Sequence, residues 1–199
     1  MANTPQSKGG IARAENLSSQ ERSEIASAAA KARWASIGDI SKLPQATHDG
    51  VLHIGTIEIP CAVLSDGTRL LTQRGVYGAI GRSGGTGSLQ GHAQQLPRFL
   101  APANLKRFIS KELECAAKPI AFRPKKGAVA YGYKADLLID ICHVYLDAHD
   151  AGALKPQQAE IARRCKILDR GLGKTGIIGL VDEATGYQEV REKDALQQI

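Results

Sequence analysis

The sequence predicts an α+β domain: a small antiparallel sheet made of two hairpins, packed by helices from the C-terminal half, with a partly detached helix at the N-terminus. Two groups of strand-like segments, within residues 51–72 and 119–133, are each interrupted by a glycine-containing turn. Residues 134–199 instead repeat their apolar side chains at helical spacing. An alanine-rich stretch before the strands has only a shallow apolar face. These three observations define the predicted fold class.

The first 40 residues predict a tail followed by that alanine-rich helix, ahead of an α+β domain at 41–199. Residues 1–16 are polar and lack a sustained apolar period, which is typical of a mobile lead-in. Ser18 and Glu21 have the spacing of a capping box, so a helix is predicted to begin near Ser18. Its apolar face consists mainly of alanine, with Trp34 as the one large anchor. We therefore expect this helix to pack weakly.

Strand signals come next, after a connector predicted over residues 36–50. The segments VLHIG, IEIPCAVL and TRLLT have strand patterns, and Asp66-Gly67 between the last two is a strong hairpin signal. In the same way, Lys125-Lys126-Gly127 separates PIAFRP from VAYGY and predicts the second hairpin.

Helices are predicted between and after the two hairpins. Between them we expect a short helix over 73–80, a flexible loop over 81–88 and a helix over about 103–113, where Pro102 suits the first turn. After the second hairpin, we expect helices over about 134–150 and from about 156, and a third helical stretch from about 189 to the end.

Positive charge is concentrated in the middle of the chain. The net charge is +6, and residues 41–133 carry twelve basic against five acidic side chains, whereas residues 134–199 carry nine against eleven. Concentrated positive charge attracts polyanions through counterion release. No stretch reaches the roughly 18 apolar residues of a membrane span, and the first residues lack the pattern of a secretory signal. We therefore expect a cytoplasmic protein without a membrane partner.

The cysteines do not suggest a metal or a disulfide scaffold. All four are widely spaced and none forms a C-x-x-C pair, which argues against a zinc ribbon and against a disulfide framework. Cys142 and Cys165 lie in apolar helical patterns, where cysteine is typically a small buried hydrophobe.

Five segments, taken in order, resemble a family of phage and prophage proteins. They are KGGIARAENLSSQERSEIASAAAKARW, SDGTRLLTQRGVYGAIGR, LPRFLAPANLKRFI, YGYKADLLIDICHVYLDA and GIIGLVDEATGYQ. The family carries the C-terminal domain first noted in a myxophage protein, which in other phage and large DNA-virus proteins follows KilA-N or BRO-type DNA-binding modules. The resemblance covers nearly the whole chain and implies a phage-type regulatory protein in a bacterial host. Longer members continue beyond the glutamine-rich end, so it also implies that this chain is the front part of such a protein.

Two patterns imitate chemical sites. The sequence GLGKTG at 171–176 resembles part of a phosphate-binding loop, but the required earlier glycine is replaced by Leu168. These glycines more simply loosen or kink a buried helical segment. A solvated polar face accounts for the acidic row on the predicted helix at 134–150 as well as a metal site does. That row consists of Asp136, Asp140, His143, Asp147 and Asp150. With no catalytic spacing elsewhere, the sequence predicts no metal, no cofactor and no enzyme activity.

The basic run between residues 98 and 126 is the leading candidate site. Lysine and arginine supply phosphate contacts, and an exposed aromatic ring can stack on a base. The alternative for this run is a solvated basic surface whose aromatic rings all belong to the core. The eight candidate nucleic-acid-binding residues are Arg98, Lys106, Arg107, Lys111, Lys118, Arg123, Lys125 and Lys126. The aromatic residues within or beside the run are Phe99, Phe108, Phe122, Tyr131 and Tyr133. DNA is the expected ligand ahead of RNA, and the alternative is a protein–protein adaptor or oligomerisation module that uses the N-terminal and C-terminal helices.

Overall fold

The computed structural model describes residues 17–35, 40–82, 96–192 and 195–198. The chain divides into two units, Met1–Lys42 and Leu43–Ile199. The predicted tail at 1–16, the predicted loop from residue 83 onwards and the packing of Trp34 lie outside the described part of the chain.

Helix α1 (Ser19–Ala35) of the first unit begins where the capping box predicts. The Ser18 N–H donates to Glu21 Oε2 at 2.8 Å, and the Glu21 N–H donates to Ser18 Oγ at 3.2 Å. Each side chain therefore satisfies a backbone donor that the first turn of a helix leaves without a partner. The hydrogen bonds from Ser18 also lower the pKa of Glu21, so its carboxylate is charged next to the positive end of the helix.

The second unit contains a five-stranded antiparallel sheet with several helices, which confirms the α+β class. The strands are β1 (Ala46–Ile54), β2 (Ile57–Leu64), β3 (Arg69–Thr72), β4 (Ile120–Phe122) and β5 (Ala130–Lys134). Their order in the sheet is β1-β2-β3-β5-β4. The first three strands form a continuous meander, and β4 and β5 form the second predicted hairpin.

Strand β1 begins earlier than the sequence predicts. The connector expected over 36–50 is wrong for residues 46–50, because this stretch pairs with β2 from Ala46 opposite Leu64 to Gly50 opposite Cys61. After Ala46, the side chains of this stretch are exposed. Pairing with a neighbouring backbone, rather than an apolar pattern of its own, makes these residues a strand.

The two edge strands of the sheet meet at one point. Gln45 and Arg123 form a parallel bridge, in which the Arg123 N–H donates to the Pro44 carbonyl at 2.9 Å and the Ala46 N–H donates to the Arg123 carbonyl at 2.8 Å. A small cluster of buried side chains lies within the strands near this junction. Its members are Ala46, Ala62, Leu64, Leu70 and Phe122.

The main core lies between the sheet and the helices. These helices are α2 (Gln73–Ala79), α3 (Lys111–Ala116), α4 (Leu137–Asp150) and α5 (Ala159–Thr185). Strand side chains such as Ile59, Leu71 and Tyr133 meet α4 and α5 in one cluster. Cys142 of α4 and Cys165 of α5 are fully buried in it, which confirms their prediction as small core residues.

Two helix predictions need correction at their boundaries. The helix expected over 103–113 is split into a 3-10 helix (Ala103–Phe108) and α3, because the Ser110 hydroxyl accepts from the Leu113 N–H at 3.1 Å and caps a new helix. The helix expected over 134–150 begins only at Leu137, whose N–H is bound by the Asp136 carboxylate at 3.0 Å.

The C-terminal stretch is also less regular than its apolar spacing predicts. Instead of a helix from about residue 189, the described residues contain two 3-10 turns, Tyr187–Glu189 and Ala195–Gln198. Within the described ranges, no helix is long and apolar enough to cross a membrane.

Helix α5 is continuous through the glycine-rich sequence and ends at Thr185, where Gly186, with a φ of 74°, caps it in a left-handed conformation. The expectation of a buried segment is wrong here, because Ile177, Leu180 and Val181 are exposed. Gly171 has a packing role of its own. A Cβ on Gly171 would lie 2.6 Å from Cγ2 of Ile54, so glycine allows the end of β1 to approach the helix closely.

The substitution Gly171→Ala is therefore expected to destabilise the protein. Overpacking costs about 1–3 kcal/mol, which exceeds the roughly 0.5–1 kcal/mol that alanine gains over glycine inside a helix. Urea unfolding should show a lower free energy of unfolding for this variant. Gly176→Ala is the matched control, because a Cβ there meets no atom within 4 Å, and it should raise stability. A Gly171→Ala protein as stable as the Gly176→Ala protein would contradict the packing role.

Candidate nucleic-acid interface

The eight candidate residues fall on four consecutive parts of the second unit. Arg98 lies in a turn, and Lys106 and Arg107 lie in the last turn of the 3-10 helix at 103–108. Lys111 begins α3 and Lys118 follows its end. The remaining three, Arg123, Lys125 and Lys126, lie at the turn of the β4–β5 hairpin. Seven of the eight are exposed, and Arg123 is half-buried.

The segment that carries Arg98 is anchored by its neighbour Phe99. The Phe99 ring is fully buried and makes edge-on contacts with Tyr77 and Tyr133, with ring centroids 5.0 and 6.1 Å apart. The Tyr145 hydroxyl of α4 donates to the Phe99 carbonyl at 2.6 Å. Arg98 therefore projects from a fixed backbone.

The 3-10 helix that carries Lys106 and Arg107 is fixed by the segment between α4 and α5. The Asn104 side-chain amide donates to the Ala153 carbonyl at 3.0 Å and to Gln158 Oε1 at 2.8 Å. The guanidinium carbon of Arg107 lies 4.7 Å from the centroid of the Phe108 ring, within the range of a cation–π contact. This contact restrains the Arg107 side chain and leaves its N–H donors available at the surface.

Helix α3 contributes little net positive charge. Lys111 lies beside Glu112 and Glu114 in the first turn. Hydrogen bonds from the backbone N–H of Glu112 itself and from the Ser110 side chain lower the pKa of Glu112 and favour its charged form. The carboxylates of this turn therefore offset the charge of Lys111.

The β4–β5 hairpin is held against the start of β1. Arg123 donates from Nη2 to Gln45 Oε1 at 3.3 Å, and the Lys125 backbone N–H donates to Asp49 Oδ2 at 2.8 Å. Gly127 has a φ of 101°, so it closes the turn in a conformation that other residues rarely adopt. The lysine side chains at 125 and 126 are exposed at the surface of this tethered turn.

The aromatic residues of the basic run mostly belong to the core. Phe99, Phe122 and Tyr133 are at most 1% exposed, so they cannot stack on a base. Phe108 and Tyr131 are half-buried, and burial raises the pKa of Tyr131. Three of the five rings therefore fit the alternative in which the aromatic residues belong to the core, and stacking on a base stays a prediction for Phe108 and Tyr131.

The candidate residues differ from three other arginines in their ion pairs. Among the described residues, none of the eight makes an ion pair with a carboxylate, whereas Arg163 and Arg164 pair with Glu160. Arg191 likewise pairs with Asp182 at 2.6 Å. Apart from Lys111, whose charge the carboxylates beside it offset, the candidate residues therefore keep their charge available to an external anion.

The candidate residues lie on both sides of strand β4 in the sequence. Five of them precede the strand, and Arg123, Lys125 and Lys126, the hairpin group, follow it. The seven residue steps from Lys118 to Lys125 reach at most about 25 Å when fully extended. Sequence reasoning missed Gln45 and Asp49, which position the hairpin group although they lie 78 and 76 residues away from their partners.

The acidic row of α4 lies partly against α5 and partly along an open cleft. His143 Nε2 lies 3.3 Å from Asp169 Oδ1 of α5, and Asp140, His143 and Asp147 line an open cleft of about 330 Å³ together with Glu112 of α3. In the part of the chain that the structure describes, no three His, Cys, Asp or Glu residues are placed to hold a metal ion.

Comparison with known proteins leaves the site to be interpreted from its own geometry. No family model matches the chain, and neither a curated protein nor a solved structure matches it.

The hydrogen bond from Lys125 to Asp49 makes a charge-specific prediction. Asp49→Asn keeps an acceptor for the Lys125 N–H but removes a negative charge beside the hairpin lysines. Affinity for duplex DNA at low salt, measured by fluorescence anisotropy, should rise about two- to fivefold, the range of surface charge interactions. Asp150→Asn, an exposed carboxylate at the end of α4, is the control and should have no comparable effect. Equal or weaker binding by Asp49→Asn would show that the hairpin does not face the DNA.

Proposed function

We propose that this chain is a phage-type regulatory protein that binds nucleic acid, DNA ahead of RNA, in the cytoplasm of a bacterial host and without catalysis. The observation that carries this proposal is the state of the basic residues between 98 and 126. Seven of the eight are exposed, and none of their side chains makes an ion pair with a carboxylate among the described residues. Unpaired surface cations attract a polyanion and release its counterions.

Binding of this kind is directed at the phosphate backbone. Lysine side chains act as point charges, and Arg107, restrained against Phe108, offers the planar guanidinium that pairs well with phosphate. With most of the aromatic rings buried, base stacking contributes little. We therefore expect similar affinity for unrelated sequences and a strong dependence on salt.

The separation of the basic groups is compatible with one duplex. B-form DNA carries about one phosphate charge per 1.7 Å of its axis, so even the longest reach from Lys118 to Lys125, about 25 Å, covers no more than about fifteen charges. The hairpin group and the residues at 98–118 can therefore contact different phosphates of the same molecule. In the hairpin, the exposed side chains of Lys125 and Lys126 are the phosphate contacts that a substitution can remove most simply.

The double change Lys125→Ala, Lys126→Ala tests this proposal. Each lost phosphate contact should reduce the slope of log affinity against log salt by about 0.9 on duplex DNA, so the slope should become nearly two units shallower. Both side chains are exposed, so the fold should be unaffected. The measurement is a salt titration of binding to two unrelated duplexes.

Lys155→Ala serves as the control, because Lys155 is exposed but lies outside the basic run. It should change the slope much less. If the double variant keeps the affinity and slope of the parent, the hairpin is not the contact. If the parent protein itself does not bind duplex DNA at low salt, the proposal as a whole fails.

A second candidate function, self-association, is favoured by the exposed face of α5. Ile177 and Leu180 are about 60% exposed, and with the small residues Gly173 and Ala184 they follow the four- and three-residue spacing of a coiled-coil seam. Along the helix, these four side chains follow the order small, large, large, small, which is the same when read from either end. An antiparallel second copy would therefore place Ile177 against Leu180 and Gly173 against Ala184.

This alternative makes its own prediction. Leu180→Glu introduces a charge into the middle of the seam, so a dimer that forms through α5 should dissociate. Light scattering at high salt should then show a dimer for the parent and a monomer for the variant, and Lys166→Glu on the same helix should leave the mass unchanged. A parent protein that is monomeric at all accessible concentrations excludes this candidate.

A further inference from the structure

An open cleft of about 720 Å³ lies between the β1–β2 turn and helix α5. Gly171 allows this arrangement, because Ile54 at the end of β1 packs where a larger residue would place its Cβ. The volume lies within the range of small-molecule sites in proteins, about 300–1,000 Å³. The cleft is therefore large enough for a ligand of nucleotide size.

The wall formed by α5 is strongly basic. Arg163, Arg164 and Lys174 line it, and Arg163 and Lys174, which are about three helical turns apart, lie on the same side of the helix. His53 adds an imidazole from the opposite wall, and no carboxylate is among the described residues that line the cleft. Such a wall favours an anionic ligand.

The two arginines are oriented and still have donors to offer. Glu160 accepts from Nε and Nη2 of Arg163 at 2.8 and 2.7 Å, and from Nε of Arg164 at 3.3 Å. The hydrogen bonds from Arg163 lower the pKa of Glu160 to about 2, so this carboxylate remains charged. An arginine has five N–H donors, so Arg163 keeps three and Arg164 keeps four beyond these bonds.

The rest of the lining is suited to the organic part of a ligand. Ile54, Ile57 and Ile167 contribute apolar surface, and the polar residues Thr56 and Thr175 belong to the same lining. Apolar walls with a few polar groups are typical of small-molecule sites. A ligand with one compact apolar part and one phosphate group fits both halves of this lining.

Lys174 and Thr175 belong to the GLGKTG sequence and line the cleft from α5. The segment is part of a continuous helix, so its backbone N–H groups are used within the helix and cannot cradle a phosphate as a glycine-rich loop does. We propose that the cleft between the β1–β2 turn and α5 binds the phosphate group of an organic phosphate, held by Arg163, Arg164 and Lys174.

The full chain can be tested with adenosine 5′-monophosphate, adenosine and a short DNA duplex as probes. We expect calorimetry to show binding of the monophosphate and not of adenosine. Arg163→Gln, Lys174→Gln removes two charges from the cleft while keeping good helix formers, and it should weaken binding of the monophosphate at least tenfold. Lys166→Gln, Arg170→Gln removes the same charge from exposed positions of α5 outside the cleft and should leave the affinity unchanged.

The duplex identifies the source of the phosphate. If the monophosphate does not bind but the cleft variant alone weakens duplex binding, the phosphate belongs to a nucleic-acid backbone and the site stands. The inference is overturned if the cleft variant and its control behave alike with both probes. The Lys125→Ala, Lys126→Ala protein should bind the monophosphate as the parent does. The test of the cleft is therefore valid even if the DNA-binding proposal fails.

Discussion

The buried ring of Phe99 joins three parts of the second unit. It contacts Tyr77 of α2 and Tyr133 of β5, while its carbonyl accepts from the Tyr145 hydroxyl of α4. Burial raises the pKa of both Tyr133 and Tyr145 to about 12, so the Tyr145 hydroxyl remains a donor at any ordinary pH. The segment around Phe99 is thus fixed to the helical layer, and the basic residues that follow Phe99 start from a rigid position.

Local signals in the sequence predicted much of this fold. The turn between β2 and β3 follows from Asp66, whose carboxylate accepts from the Thr68 N–H at 2.9 Å, and from Gly67, whose φ is 83°. The start of β1 could not be predicted, since its exposed polar side chains acquire strand structure only by pairing with β2. The break before α3 depends on Ser110, because a serine within a helical pattern can either continue the helix or cap a new one.

The sequence predicted the charge of the candidate site, but it did not predict which aromatic rings are buried or which distant residues contact the site. Exposure of the lysines follows from their chemistry, since lysine is almost never fully buried without a partner. Burial of Phe99 and Phe122 depends on the packing of distant elements, which spacing along the chain does not reveal. The contact of Asp49 with Lys125 joins residues 76 positions apart. The basic cleft beside α5 likewise requires the β1–β2 turn to pack on a helix more than 100 residues later.

The bridge between Gln45 and Arg123 has a consequence for synthesis of the protein. Its two sides are 78 residues apart, so at about 5–20 residues per second the ribosome adds the second side roughly 4–16 s after the first. During this interval, the start of β1 lacks the backbone partner that Arg123, just after β4, later provides. An unpaired strand edge can pair with another chain. Until Arg123 is added, the Pro44 carbonyl and the Ala46 N–H are therefore open to a wrong partner.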